Sequence, residues 1–533
     1  MLPGPAADGD AVGDAPRGLL RREAVVDVAL VPRTRSLDVR SGTVTWVSPL
    51  RVSVEPEWRG VVETFARGLA NSIGWDLEIV GGASDADVVI RAVDCAEEEY
   101  RLAIDEVVTI DAASPVGVAH ALAVLRQLGP DQLWSIGATL ERIELPRLFI
   151  EDGPRFAWRG VHLDVARHFF DVASVCRLID QLAAHRLNRL HLHLNDDQGW
   201  RVDVPQWPRL RDVASTRRSS PLGHEVDGLD DGVAHGGCYS ADDLEEIRQH
   251  ALSRFVTIVP EIDLPGHAQA VIAAYPDLGN VDRPVEVWTR WGISEHVLNV
   301  GEGALAFAEA VVRYVAGRFP GSPVHIGGDE CPTTEWEHSE LAQAVMAEHG
   351  LRDERQLQGL FTSRLAAALR ADGHEVIAWD EVMDAHADED VVICAWRHSS
   401  RGRLAAEAGH DVVMAPMQFL YFDWLNSDAK NEPVALAPPP AVTTWEKVYR
   451  FSVIPPGLDE KLWHHVRGAQ AQLWSEYIAT REHLDYMAFP RTAVFAEVAW
   501  GTPETLELFR PRLERHLERL KAMGVHYRAL DPR

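Results

Sequence analysis

Residues 324–331 read VHIGGDEC. A short apolar run enters two glycines that clear space, and the chain then presents two adjacent carboxylates, Asp329 and Glu330. A buried carboxylate is costly unless it is put to use. Two like charges one residue apart repel, so their acidities are expected to separate, leaving one acid protonated and one carboxylate ionised near neutrality. Such a pair suits acid-assisted cleavage of a bond like the glycosidic one. A surface Asp-Glu at a strand end is the bland alternative, and the rest of the chain has to decide between the two.

The groups that could accompany this pair follow from where apolar runs stop. From Phe156 onward, strand-like and helix-like segments alternate, which predicts a parallel sheet with helical crossovers. Eight strands are expected, over residues 160–165, 189–194, 256–259, 324–327, 376–378, 391–395, 411–414 and 468–473. Helical periodicity separates them: Val172, Val175, Leu178, Ile179 and Leu182 share one face, and Leu360, Leu365 and Leu369 another. Eight such units match a (β/α)8 TIM barrel, whose active site lies at the C-terminal ends of its strands. Those ends carry Arg167-His168, Asn195-Asp196-Asp197, Glu261 with Asp263 and His267, Asp329-Glu330, Trp379, Trp396, Tyr421 with Asp423, and Trp474-Ser475-Glu476. Every strand contributes a polar or tryptophan candidate.

Composition narrows the partner. Lys and Arg total 52 against 81 Asp and Glu, a net charge of −29, which argues against nucleic acid and for a neutral or cationic substrate. Tryptophan (17) outnumbers phenylalanine (15) and tyrosine (9); a flat apolar face with one N–H donor suits stacking on sugars, with core packing the alternative for any single Trp. The five cysteines, Cys95, Cys176, Cys238, Cys331 and Cys394, are dispersed and form neither a disulfide framework nor a zinc ribbon pattern. No segment has the apolar length of a membrane span. The first residues lack a basic stretch followed by an apolar run, so a cytoplasmic protein is expected unless a leader has been trimmed.

Four segments are expected: a disordered tail over 1–22, a smaller non-catalytic α/β domain over 23–150, the barrel over 151–502 and a C-terminal helical tail over 503–533. In the smaller domain, strands are expected at 25–31, 77–80 and 88–90, a hairpin at 100–104 and 107–110, and helices at 57–72 and 115–128. The tail helix is expected to start at Thr502-Pro503-Glu504, break at Pro511 and close at Gly524.

Five runs, 163–170 (LDVARHFF), 192–200 (LHLNDDQGW), 260–267 (PEIDLPGH), 325–330 (HIGGDE) and 473–476 (LWSE), together resemble glycoside hydrolase family 20, the β-N-acetylhexosaminidases. The resemblance runs from about residue 25 to 510 and includes that family's N-terminal domain. It implies exo-acting hydrolysis of terminal N-acetylglucosamine or N-acetylgalactosamine with retention, through an oxazolinium intermediate, with no cofactor or metal. It also implies roles. Glu330 would be the general acid; Asp329 and Tyr421 would serve the substrate's 2-acetamido group as its oxygen attacks the anomeric carbon. Trp379, Trp396 and Trp474 would wall the pocket, and Arg167, Asp423 and Glu476 would grip the sugar hydroxyls. Asp196 and His267 would form a relay that tunes Glu330, with Asp263 a weaker candidate there. Adjacent residues at one strand end diverge, so Asp329 and Glu330 are poorly placed as a nucleophile and acid facing each other across a sugar; an internal nucleophile removes that demand and adds proximity.

Two other readings stay open on sequence. His191-Leu-His193 at a barrel strand resembles the His-x-His of metal-dependent amidohydrolases, with His267 and His325 as further ligands. A barrel that binds amino sugars without turnover is the second. Sugar preference at O4, aglycone choice and oligomeric state are not legible.

Overall fold

The computed structural model describes residues 28–223, 228–385, 388, 390–428, 432–435, 441–501 and 503–532. The expected tail, residues 25–27 of the first expected strand and Thr502 lie outside these residues. Eight strands close into a barrel: β1 (Trp158–Asp164), β2 (Arg189–His193), β3 (Thr257–Glu261), β4 (Val324–His325), β5 (Val376–Trp379), β6 (Val392–Ala395), β7 (Val412–Met414) and β8 (Val466–Leu473). Each pairs in parallel with the next, and β8 returns to β1. The fold is therefore the expected (β/α)8 barrel. Register sets Asp164 beside His193, His193 beside Glu261 and Glu261 beside His325.

The crossovers begin where the sequence supplies caps. Asp171 accepts from the Ser174 amide at the start of helix Val172–Ala184, whose buried face is Val175, Leu178, Ile179 and Leu182. Ser240 and Asp243 cap each other at helix Ala241–Leu252. In helix Glu354–Ala371, Leu365 and Leu369 are buried, whereas Leu360 is only half-buried at the edge of that face.

The tail helix departs from its expected start. It spans Leu506–Ala522 with Thr505 at its N-cap, and Pro511 sits inside it without ending it. Pro511, the sixth residue of the helix, lies past the first turn, and its missing N–H leaves the Glu507 carbonyl without its i−4 bond. Gly524, at φ 68°, closes the helix, and the Val525 amide reaches the Leu520 carbonyl.

The N-terminal domain is a seven-stranded mixed sheet carrying helices Arg59–Ile73 and Pro115–Leu128. The hairpin forms as Tyr100–Ile104 and Val108–Ala112. Strands Asp38–Trp46, Leu50–Ser53 and Ile143–Asp152 escape sequence reading: the first is a mostly exposed edge and the last carries Pro146. Residues 28–31, by contrast, are not a strand. The Gln127 side-chain amide takes over both backbone groups of Val31, at 2.9 and 2.8 Å, so the segment buries Leu30 and Val31 without joining a sheet. Asp152 ties the domains together, accepting from Tyr100 Oη (2.7 Å), Arg186 Nη1 (2.5 Å) and Trp500 Nε1 (3.1 Å).

Candidate active site

After β4 the chain turns sharply outward. Gly327 (φ 63°), Gly328 (φ 94°) and Glu330 (φ 45°) all occupy the left-handed region. A Cβ on Gly327 would stand 1.8 Å from Asp263 Oδ1, so only glycine lets the loop pass the end of β3. Asp263 Oδ1 accepts from the Gly328 amide at 2.8 Å, and Gln358 Nε2 donates to the Gly328 carbonyl at 2.7 Å. Glu330 and His267 (φ 49°) are two non-glycine residues held in this unfavourable conformation, a strain that clusters at functional sites.

The turn separates the adjacent carboxylates by environment. The Asp329 side chain is 10 % exposed and that of Glu330 is 36 % exposed. Burial, and then Asp263 alongside, push the Asp329 carboxyl far above the usual range; Glu330 is a lesser influence. Burial likewise pushes Asp263 up to about 7. Asp263 Oδ2 and Asp329 Oδ1 are both buried without a hydrogen-bond partner in the protein. Asp329 is thus a raised acid of the adjacent pair, and after burial the group that raises it most is Asp263, brought in by barrel closure.

His267 Nδ1 lies 3.2 Å from Asp196 Oδ1 and 3.5 Å from Asp197 Oδ2, while Nε2 faces Glu330 Oε2 at 3.8 Å and Asp329 Oδ2 at 3.9 Å. Burial opposes a charge on this ring, but Asp196 and Asp197 override it and hold it protonated well above the ordinary histidine range. Asp196 also receives Arg167 Nη2 at 2.7 Å and is held far below the usual carboxylate range by that guanidinium, against its burial. Arg167 further meets Asp164 (3.1 Å), Gln198 (2.9 Å) and, at 3.8 Å, Glu476. Its guanidinium lies 5.1 Å from the Trp474 ring.

Aromatic side chains cluster at the strand ends. Trp396 stacks on Tyr421 with centroids 6.0 Å apart, and Tyr421 and Trp474 lie 6.4 Å apart. The Tyr421 phenol is pushed up by burial and so remains an O–H donor. Asp423 has both carboxylate oxygens buried without a hydrogen-bond partner, as has one oxygen each of Glu476 and Asp329. Burial, reinforced by Glu476, raises Asp423 well above the usual range; burial raises Glu476 to about 7 against the pull of Arg167. These carboxyls have hydrogen-bonding capacity that the protein itself does not use.

Trp379 needs a correction. Expected as a pocket wall, it is 0 % exposed, and its indole N–H donates to Glu261 Oε1 at 2.7 Å inside the barrel. It packs against His191 and His325 below and lies 6.0 Å from Trp474, so it is a buried floor under the aromatic cluster.

Sequence reading missed Glu381, which accepts from Trp396 Nε1 at 2.8 Å, and Asp164 and Gln198, which hold Arg167. The strand-end rule applied two residues beyond Trp379 would have found Glu381. Glu261 stood in the strand-end inventory without a role.

Among the described residues, four groups bring three possible metal ligands within 4.8 Å, including His162–His191–Glu261 and Asp263–His267–Asp329. Several of their members, Glu261, His193, Asp196 and His267 among them, already hydrogen-bond one another. His191 and His193 lie inside the barrel around Glu261, not at an open metal position.

A parallel barrel with a carboxylate pair and aromatic cluster at its strand ends is the arrangement of a glycoside hydrolase. The chain belongs to glycosyl hydrolase family 20: that family's catalytic domain matches residues 156–503 and its domain 2 matches residues 27–153. It is 35 % identical over 487 residues to a β-hexosaminidase of Porphyromonas gingivalis, covering 89 % of this chain but only 61 % of that protein. It is 32 % identical over 525 residues to a β-N-acetylhexosaminidase of Cellulomonas fimi, covering 94 % and 96 % respectively. Among solved structures, the exo-β-N-acetylglucosaminidase of Vibrio harveyi in complex with N-acetylglucosamine is similar with a TM-score of 0.85 and 29 % identity, covering 94 % of this chain and 78 % of that one. The Streptomyces plicatus N-acetyl-β-hexosaminidase bound to thio-NAglucal gives 0.82 and 28 %, covering 94 % and 96 %.

Proposed function

We propose that the protein is an exo-acting β-N-acetylhexosaminidase that removes terminal, non-reducing N-acetylglucosamine or N-acetylgalactosamine with retention, using the substrate's own acetamide as nucleophile. The observation that carries this reading is the placement of Asp329 and Glu330 on one glycine-cleared turn, one buried and one open. A protein nucleophile and acid need carboxyls about 5–5.5 Å apart on opposite faces of the sugar, which consecutive residues of one turn do not provide.

In this reading Glu330 gives a proton to the glycosidic oxygen as the acetamide oxygen attacks the anomeric carbon, and the aglycone leaves as an alcohol. Asp329 accepts from the acetamide N–H, and Tyr421 Oη donates to the acetamide oxygen. Water then opens the oxazolinium from the face the aglycone left, deprotonated by Glu330, which restores the starting protonation and the anomeric configuration. Trp474, Trp396 and Tyr421 enclose the sugar above the Trp379 floor. Sugar hydroxyls supply the donors that Asp423 and Glu476 lack, and Arg167 completes the grip. The relatives solved with N-acetylglucosamine and thio-NAglucal support this substrate class.

The test pairs an aryl N-acetylglucosaminide with the matching aryl glucoside. Turnover of the first alone, tight inhibition by a thiazoline analogue of the oxazoline, and no covalent adduct after quenching with an activated fluorosugar are the expected results. A glycosyl ester on any carboxylate refutes substrate assistance; comparable turnover of the glucoside refutes the substrate class.

A further inference from the structure

Directly below the catalytic turn, the barrel holds a wholly buried carboxylate. Glu261 is 0 % exposed, and a charge there is costly unless it is fully compensated. Its hydrogen bonds come from Trp379 and His193, with two further rings close by. Oε1 accepts from Trp379 Nε1 (2.7 Å) and lies 3.0 Å from His325 Nδ1; Oε2 meets His193 Nδ1 (2.5 Å) and lies 3.1 Å from His191 Nε2. Two of these contacts lead back to the active site. Trp379 is its floor. His193 Nε2 lies 2.9 Å from Asp196 Oδ2, and Asp196 is the partner of His267, whose Nε2 faces Glu330.

His193 thus has a carboxylate at each ring nitrogen, and carboxylates only accept, so both nitrogens donate and the ring is an imidazolium. Burial opposes that charge, but Glu261 and Asp196 together raise His193 to about 10. Mere packing does not call for a cation locked between two anions on the barrel axis. An Asp196 carboxylate fixed on one side by Arg167 and His193 and on the other by His267 has its orientation determined from below.

We propose that Glu261 and His193 are positioning residues for the reaction: they extend the Asp196–His267 relay into the barrel core and set the orientation of His267, and through it the acid Glu330, without touching the substrate. The inference rests on the reading of Glu330 as general acid, so Glu330→Gln is measured beside it. Glu261→Gln keeps the shape of the side chain and its bond to Trp379 but places an amide donor or a neutral acceptor against His193. His193→Asn can still bond Glu261 but does not reach Asp196.

For each variant we expect kcat to fall about 30-fold with KM changed less than about threefold, and a loss at least about fivefold greater on chitobiose than on an activated aryl glycoside. Combining either with Asp196→Asn should cost no more than about threefold beyond the worse single variant, because members of one relay are not additive. Multiplying losses, or equal losses on both substrates while Glu330→Gln shows the leaving-group dependence, overturn the proposal and leave the acid assignment standing. Absence of that dependence in Glu330→Gln itself removes the acid assignment, and the proposal with it. If Glu261→Gln does not fold, the same measurements on His193→Asn decide the matter.

Discussion

Replacing Trp379 with alanine should damage the fold and the activity together, whereas Trp396→Ala should damage mainly activity. The Trp379 ring is fully buried among barrel side chains, and truncating such a residue costs about 3–5 kcal/mol. It also leaves Glu261 Oε1 without its indole donor, which adds about 1–3 kcal/mol. Together these give roughly 4–8 kcal/mol. With an unfolding entropy of about 2.1 cal/mol/K per residue, the ~350 residues of the catalytic domain supply about 0.7 kcal/mol/K, so the barrel's melting midpoint should drop by roughly 6–11 °C. Trp396 is only partly buried, so Trp396→Ala should cost about 1–2 kcal/mol, or roughly 1–3 °C. Both variants should lose about tenfold to a hundredfold in kcat/KM on an aryl N-acetylglucosaminide, Trp396 as an aromatic surface of the sugar site and Trp379 through the aromatic cluster it supports. Calorimetry with steady-state kinetics on the same preparations makes the comparison. If Trp379→Ala melts within about 2 °C of the parent, the ring is not the buried floor described, and the contrast with Trp396 fails.

Three further outcomes follow from the geometry. Gly327→Ala should cut activity by more than about a hundredfold, because its Cβ collides with Asp263 and displaces the carboxyl beside Asp329; kinetics resembling the parent's would refute this. Asp329→Asn and Tyr421→Phe should each lower kcat far more than they raise KM, since both groups serve charge that develops in the transition state; a pure KM effect on either would contradict that role. Glu476 should give up a proton on ligand binding. Its raised value of about 7 means its protonated form favours the empty folded state, a contribution present below its unfolded value and lost as pH rises through 7. Hydroxyl donors favour the ionised form instead, so titration calorimetry with N-acetylglucosamine at about pH 6, in buffers of differing ionisation enthalpy, should show proton release. Proton uptake would refute this assignment.

The sequence by itself determined what is local. Alternating segments and their periods gave the barrel, because which face of a helix or strand is buried depends only on the spacing of apolar residues along it. The face shared by Val172, Val175, Leu178, Ile179 and Leu182 was fixed within a single segment. The Gly327-Gly328 pair announced the tight turn beneath Asp329 and Glu330, since no other residue takes those dihedrals so close to a neighbouring strand. The strand-end rule then gathered Arg167, Asp196, His267, Tyr421, Asp423, Trp474 and Glu476 around that turn. Partnership across the barrel was decided only by tertiary structure. Closure placed Asp263 against Asp329 and so raised that carboxyl; register placed Glu261 among His191, His193 and His325 and turned Trp379 from a wall into a floor; Gln127, nearly a hundred residues along the chain, satisfied the Val31 backbone and kept residues 28–31 out of the sheet. A carboxylate's proton affinity and a ring's exposure depend on which groups meet it in space, and one strand's pattern carries no record of the residues that the opposite strand will bring.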